Sequence, residues 1–157
     1  MTETVFDLPG PDDTDLLGRS LASLLEPGCV VFLEGELGAG KTTLVRSILR
    51  ALGWTKAVRS PSYALVHGYP DVAPTIQHLD LYRLGSAEEA IGLDLDRLVD
   101  DGHVLLIEWA DRLEGVVVPD FTVRLEITGP QSRRVRILEP GDAYIGAGII
   151  AQGVNPT

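Results

Sequence analysis

The stretch CVVFLEGELGAGKTTLVRSILRALG, residues 29–53, decides the fold. Residues 29–33 are a continuous apolar, β-branched run, which reads as a buried strand of a parallel sheet. Residues 35–42, GELGAGKT, follow the pattern G-x-x-x-x-G-K-[ST]. From Lys41 onward the period becomes helical, with Leu44, Val45, Ile48, Leu49 and Leu52 on one side and Gly53 as the stop. A strand, a glycine loop and a helix in that order form a phosphate cradle. Gly35, Gly38 and Gly40 allow backbone conformations closed to other residues. The amides of the loop, including those of Glu36, Leu37 and Ala39, are then expected to turn inward as an anion nest, reinforced by the positive end of the helix. Lys41 is placed to reach the β- and γ-phosphates of a nucleotide, and the Thr42 hydroxyl to ligate Mg²⁺.

Outward from this unit, the chain alternates strands and helices. Residues 3–8 predict a short strand, broken by Pro9-Gly10-Pro11. Apolar residues at 16, 17, 21, 24 and 25 predict an amphipathic helix over 12–25, started by Asp12, Asp13 or Thr14 and ended by Pro27-Gly28. Residues 60–70 and 74–83 read as two strands joined by a tight loop. Residues 86–101 read as one helix, opened by Ser86 with Glu89 as a capping box. HVLLIEW (103–109) is a second buried strand, and 119–127 with 133–138 form a hairpin around Gly129-Pro130. The expectation is a single α/β layered domain of the P-loop NTPase type: a mostly parallel central sheet, helices on both faces and a C-terminal hairpin. That domain is expected over 1–140; the tail 141–157, rich in small residues, is left undetermined.

Composition narrows the function. The chain has 157 residues, 45% of them apolar, and a net charge of −10. Such acidity disfavours direct, strong binding to nucleic acid or to an anionic membrane. Only Lys41 and Lys56 are lysines among the 13 basic residues. The single cysteine, Cys29, allows no internal disulfide and reads as a buried inert thiol. The N-terminal residues lack the charge and apolar pattern of a secretory leader, and no apolar run approaches a membrane span. A soluble, cytoplasmic protein is expected.

The P-loop does not choose between ATPase, GTPase and kinase. A small GTPase carries Asp-x-x-Gly after the loop; here DLPG (7–10) stands ahead of it. Thr55-Lys56-Ala57-Val58 lacks the aspartate of a guanine-reading motif. A small-molecule kinase needs an acceptor site and a lid, for which the chain is short, although Arg133, Arg134 and Arg136 offer phosphate contacts. Two acids complete a candidate metal centre. Asp80 lies late in one predicted strand and Glu108 at the end of another, and open parallel sheets bind ligands beyond the carboxyl ends of their strands. One acid would hold Mg²⁺, directly or through water, and the other would orient or deprotonate the attacking water. The plain alternative for each is a surface carboxylate at a strand end.

GELGAGKTTL, SPSY (60–63), HLDLYRL (78–84) and IEWADRL (107–113) occur in this order. Together they resemble the bacterial ATPase family of tRNA threonylcarbamoyladenosine biosynthesis, the TsaE (YjeE) family, over residues 1–140. The resemblance implies that Lys41 and Thr42 are the P-loop lysine and the Mg²⁺-binding hydroxyl, with Thr43 near the α-phosphate. It implies that SPSY is a switch-like segment, in which Ser62 stands for the family's threonine. It makes Asp80 the aspartate of H-x-D-x-Y-R, with His78, Tyr82 and Arg83 completing the motif; packing alone is an equal account of His78. Glu108 becomes the metal-side glutamate and Trp109 its neighbour, followed by Ala110 where the family has proline. Thr14 and Arg133 match residues near the nucleotide, although Arg134 and Arg136 leave the register of the arginine open. The resemblance further implies ATP and Mg²⁺ as cofactors. It implies as partners a two-protein threonylcarbamoyl transferase complex, TsaB- and TsaD-like, which the ATPase resets while the transferase modifies tRNA. A small-molecule kinase and a nucleotide sensor without hydrolysis are the rival readings.

Overall fold

The computed structural model describes residues 1–113 and 115–157. Its elements in chain order are β1 (Thr2–Leu8), α1 (Pro11–Leu24), β2 (Val30–Glu34), α2 (Lys41–Ala51), β3 (Val66–Tyr69), β4 (Ile76–Asp80), α3 (Ala87–Gly92) and α4 (Leu95–Asp100). Then follow β5 (Val104–Glu108), a 3₁₀ turn (Ala110–Leu113), β6 (Phe121–Ile127), β7 (Arg133–Glu139) and α5 (Tyr144–Ala151). The strands form one sheet in the order β1-β7-β6-β2-β5-β4-β3. The four central strands, β6, β2, β5 and β4, are mutually parallel. The edges are antiparallel: β3 on β4, and β7 with β1 on β6. This is the expected α/β layered architecture, with β6 and β7 as the C-terminal hairpin.

Alternation along the central strands divides the core. Val31 and Leu33 of β2 and Leu106 of β5 face one side, where Leu17 and Leu21 of α1 and Leu44, Ile48 and Leu49 of α2 cover them. Val30, Leu105 and Ile107 face the other side with Leu79, under Ala90, Leu95 and Leu113. Strands buried on both faces are what a continuous apolar run encodes. Helices α1 and α2 pack tightly: a Cβ on Gly18 would stand 2.3 Å from Ser47 Cβ. Because β1 and β2 run the same way, α1 and α2 also run the same way, and both begin at the carboxyl edge of the central strands.

Four local expectations are corrected. Helix α1 begins at Pro11, earlier than the proposed caps; Gly10 is the N-cap, and its N–H donates to Asp13 Oδ2 at 2.9 Å. Proline suits a first helical position because its missing N–H is not needed there. Leu16 belongs to the predicted apolar stripe but is exposed. Of residues 60–70 only Val66–Tyr69 pair as a strand. The preceding segment is turned by Leu65, at φ +67°, whose N–H bonds Pro61 O at 2.7 Å. The single helix over 86–101 is two helices, separated where Asp94 adopts φ +50°. The start of the first is as expected, with Ser86 Oγ accepting from Glu89 N–H at 3.2 Å.

Residues 144–151, within the undetermined tail, form helix α5, anchored by a buried acid. Glu139 at the end of β7 accepts the N–H groups of Ile145 (2.7 Å) and Gly146 (3.0 Å). Those are unpaired donors of a helix start, and a carboxylate there is doubly favoured by charge and hydrogen bonding. Ile145 and Ile149 join the core beside α1.

Two predictions follow from this packing. Glu139→Ala strips the acceptor from two buried amides and should lower unfolding free energy by about 2–4 kcal/mol, read by urea denaturation. An unchanged midpoint would mean that the anchor contributes nothing. Burial first, then the Asp120 carboxylate, pushes the Cys29 thiol up to about 12. Iodoacetamide at pH 8 should therefore alkylate native Cys29 at least about a hundredfold more slowly than the urea-unfolded chain, because only the thiolate reacts.

Candidate functional site

The site lies at the carboxyl edge of the parallel strands. Strand β2 ends at Glu34, the loop turns through 35–40, and α2 begins at Lys41. The glycines are required there by geometry. Gly40 launches α2 from φ +105°. Gly35 sits at φ +153°, and a Cβ on it would meet Leu125 O at 2.8 Å and Ala39 Cβ at 3.0 Å. The loop closes on itself where Ala39 N–H donates to Glu36 O at 3.0 Å. The Ala39 amide, expected to face a ligand, is thus spent within the loop, and its methyl group is fully buried.

Lys41 is almost entirely buried. Its Nζ donates to Gly35 O at 2.5 Å, lies 4.0 Å from Glu108 Oε1 and sits 4.2 Å from the centroid of the Trp109 ring. Trp109 holds φ +60°, a left-handed conformation that a bulky residue adopts at a cost of about 1–3 kcal/mol. Strain of this kind collects at functional sites, and here it turns the indole back over the lysine.

The two predicted acids arrive side by side. Asp80 and Glu108 end β4 and β5 and are register partners in the parallel ladder. Both are buried, at 7% and 3% exposure. Asp80 Oδ2 accepts from Ser60 Oγ at 2.9 Å and Ser62 Oγ at 3.3 Å, and Oδ1 accepts the Tyr82 amide at 3.1 Å. The SPSY segment is therefore tied to Asp80. Glu108 Oε2 lies 2.6 Å from His78 Nε2.

These groups line one groove of about 390 Å³, together with Leu37, Gly38, Gly40, Thr42, Thr43, Ser62 and Trp109. Gly35 lines the adjoining hollow, which also reaches Lys41 and Trp109. Three other predicted residues stand apart from the groove. Thr14 is buried in the first turns of α1. It lies one turn before Gly18, as Thr43 lies one turn before Ser47, so topology carries it to the same end of the molecule. Glu36 is exposed on the outer side of the loop. Arg133 braces the loop from behind: its guanidinium donates to Ala39 O (2.9 Å) and Gly38 O (3.3 Å), and to Gly129 O and Ser132 O. Its donors are taken by backbone, which makes it a support of the loop in this geometry. Arg134 and Arg136 point elsewhere, pairing with Asp7 and with Glu3 and Glu126. Of the three arginines, Arg133 is the one that reaches the phosphate loop.

Ser60 of the switch-like SPSY segment and His78 of H-x-D-x-Y-R join the site beyond the predicted catalytic, nucleotide and metal residues. Ser60 bonds Asp80 more closely than Ser62 does. The sequence signal for His78 is its place in H-x-D-x-Y-R, for which packing is an equal account.

The arrangement suits a polyanion with a hard cation. The helix start and Lys41 favour phosphate oxygens. The groove's buried ionisable side chains, one lysine against two carboxylates, leave a negative balance that a divalent cation relieves. Among the described residues no three His, Cys, Asp or Glu side chains converge as a metal cage. The oxygen donors of Thr42, Asp80 and Glu108 match Mg²⁺, which takes one or two carboxylates and completes its shell with water and substrate phosphates.

The family model "Threonylcarbamoyl adenosine biosynthesis protein TsaE" matches residues 8–136. A Streptomyces coelicolor protein named tRNA threonylcarbamoyladenosine biosynthesis protein TsaE is 36% identical, over 85% of this chain and 95% of its own length. Its namesake from Bacillus subtilis is 31% identical over 85% and 84%, and that from Synechocystis is 43% identical over 69% and 71%. The crystal structure of Bacillus subtilis YdiB superposes with a TM-score of 0.77 at 25% identity, covering 96% of this chain and 95% of that one. With the family pattern running through the loop, both acid-bearing strands and the bracing arginine, the chain belongs to the TsaE family of tRNA threonylcarbamoyladenosine biosynthesis.

Proposed function

We propose that the chain binds and hydrolyses ATP with Mg²⁺, as the ATPase that serves a threonylcarbamoyl transferase pair in the modification of adenosine beside the tRNA anticodon. The observation that carries this reading is the meeting of Lys41, Asp80 and Glu108 in one groove under the start of α2. Family membership supports the pathway and favours this reading over a small-molecule kinase.

The division of labour follows from the geometry. The loop and the first amides of α2 bind the phosphates, and Lys41 spreads positive charge over the terminal ones. Thr42, with one of Asp80 and Glu108, would hold Mg²⁺, which when bound neutralises charge on the phosphate oxygens. The carboxylate not engaged with the ion orients the attacking water and accepts its proton as the oxygen bonds to the γ-phosphorus and the bond to the bridging oxygen breaks. Arg133 keeps the loop in shape, and Trp109 covers Lys41. The hydroxyls of Ser60 and Ser62 connect Asp80 to an exposed segment ending in Tyr63, a route by which a bound partner would sense the nucleotide. A net charge of −10 fits action on the transferase proteins while they hold the tRNA. The reaction belongs in the cytoplasm, with its substrates.

The direct test is phosphate release from ATP by the purified chain, alone and with the transferase pair. Turnover, raised by the pair, is expected; no ATP binding and no turnover in either condition would refute the reading. Lys41→Ala should weaken ATP binding by at least about tenfold, since a charge-assisted contact is worth about 1.5–3 kcal/mol. Calorimetric titration measures it. Glu108→Ala should raise the Mg²⁺ concentration for half-maximal nucleotide binding; an unchanged Mg²⁺ titration would remove Glu108 from the metal site.

A further inference from the structure

The inward face of β4 poses a problem that packing does not solve. Ile76, His78 and Asp80 alternate onto the face covered by α1 and α2, beside Val104, Leu106 and Glu108 of β5. His78 is fully buried, with Leu106 of β5 and His67 of β3 as its register partners. Only one of its ring nitrogens is satisfied. Nε2 meets Glu108 Oε2 at 2.6 Å, whereas among the described residues Nδ1 has no hydrogen-bond partner. A buried polar atom without a partner is costly, and an aliphatic side chain would avoid that cost.

The unsatisfied atom also identifies the tautomer. A carboxylate accepts only, so the proton of the pair belongs on Nε2 of the imidazole. The ring therefore serves as a one-ended donor. Its hydrogen bond takes Oε2 of Glu108 and holds the carboxylate in the rotamer that turns Oε1 toward Lys41, 4.0 Å away. Without that bond, Oε2 would be left without its buried donor and the rotamer would be free to change.

We propose that His78 is a positioning residue: its Nε2–H fixes the Glu108 carboxylate so that one oxygen alone is presented to the groove. This rests on the ATPase reading for its consequence, although not for its geometry. His78 touches no substrate and acts wholly through Glu108. The cost of an orphaned ring nitrogen is borne for the orientation of an acid that the reaction uses, as orienting partners do for first ligands elsewhere.

The test compares His78→Leu and His78→Gln with the wild type. Leucine fills the apolar slot without the donor; glutamine restores an N–H near the position of Nε2. His78→Leu should melt no lower than the wild type and bind ATP within about threefold. It should lose at least about tenfold in partner-stimulated turnover and need at least about threefold more Mg²⁺, with most of both recovered in His78→Gln. Wild-type turnover and Mg²⁺ dependence in His78→Leu would overturn the proposal. So would equal losses in both variants that track a fall in melting temperature, since that is what a packing role predicts. Two-bond ¹⁵N–¹H spectra of the histidine rings give a readout independent of hydrolysis. The Nε2–H tautomer should appear for His78 and shift in Glu108→Gln; an Nδ1–H tautomer would overturn the proposal. Should the wild type not hydrolyse ATP, the ATPase reading fails by itself and the spectra still decide the geometry.

Discussion

Two carboxylates are brought under one helix start by a single register: Asp80 opposite Glu108 in the parallel pairing of β4 with β5. Neither acid is tolerable there alone. A buried charge must be paired or hydrogen-bonded, or the surrounding structure gives way. The molecule answers with Ser60, Ser62 and the Tyr82 amide around Asp80, and with His78 and Lys41 around Glu108. A slip of one residue between the two strands would turn one acid to the opposite face, into the apolar layer of Leu79 and Ile107, and part the pair. The phosphate loop, the switch-like segment and the indole of Trp109 are all arranged around this pair.

Seen from that pair, the supports of the loop acquire a common purpose. Arg133 grips the outer carbonyls of Gly38 and Ala39 while Lys41 grips Gly35 from within. The loop is held from both sides before any anion arrives, and a preorganised donor set loses less on binding than one that must be ordered. The strained Trp109 backbone sits directly after Glu108, so the strand end that carries the acid also sets the cover over the lysine.

Much of this is legible in the sequence, for identifiable reasons. The unit from Cys29 to Gly53 encodes its strand by β-branched apolar residues, its loop by glycines and its helix by period, and all three agree. Asp80 and Glu108 are legible because one stands late in a predicted strand and the other ends an apolar one, and strand ends become the ligand edge of a parallel sheet. The break at Asp94 is not legible, because the helical period continues across it and only a single left-handed residue interrupts the backbone. Helix α5 is hidden because its order comes from Glu139, a residue outside the segment, and from glycines that let it approach Thr4 and Leu24 closely. Arg133 illustrates a third limit. Its neighbourhood follows from the family motif, but only the fold shows that its donors are filled by the loop's own carbonyls.

The central claim is that the loop, Thr42 and the paired acids form one Mg·ATP site. A crystal structure of the chain with Mg²⁺ and a non-hydrolysable ATP analogue tests it most directly. The triphosphate should lie along the loop from Gly38 to Thr43, with Lys41 turned from Gly35 onto phosphate oxygens. The ion should be held by Thr42, at least one of Asp80 and Glu108, and the phosphates. A nucleotide bound elsewhere, or an ion coordinated without either carboxylate or its bound water, would contradict the account.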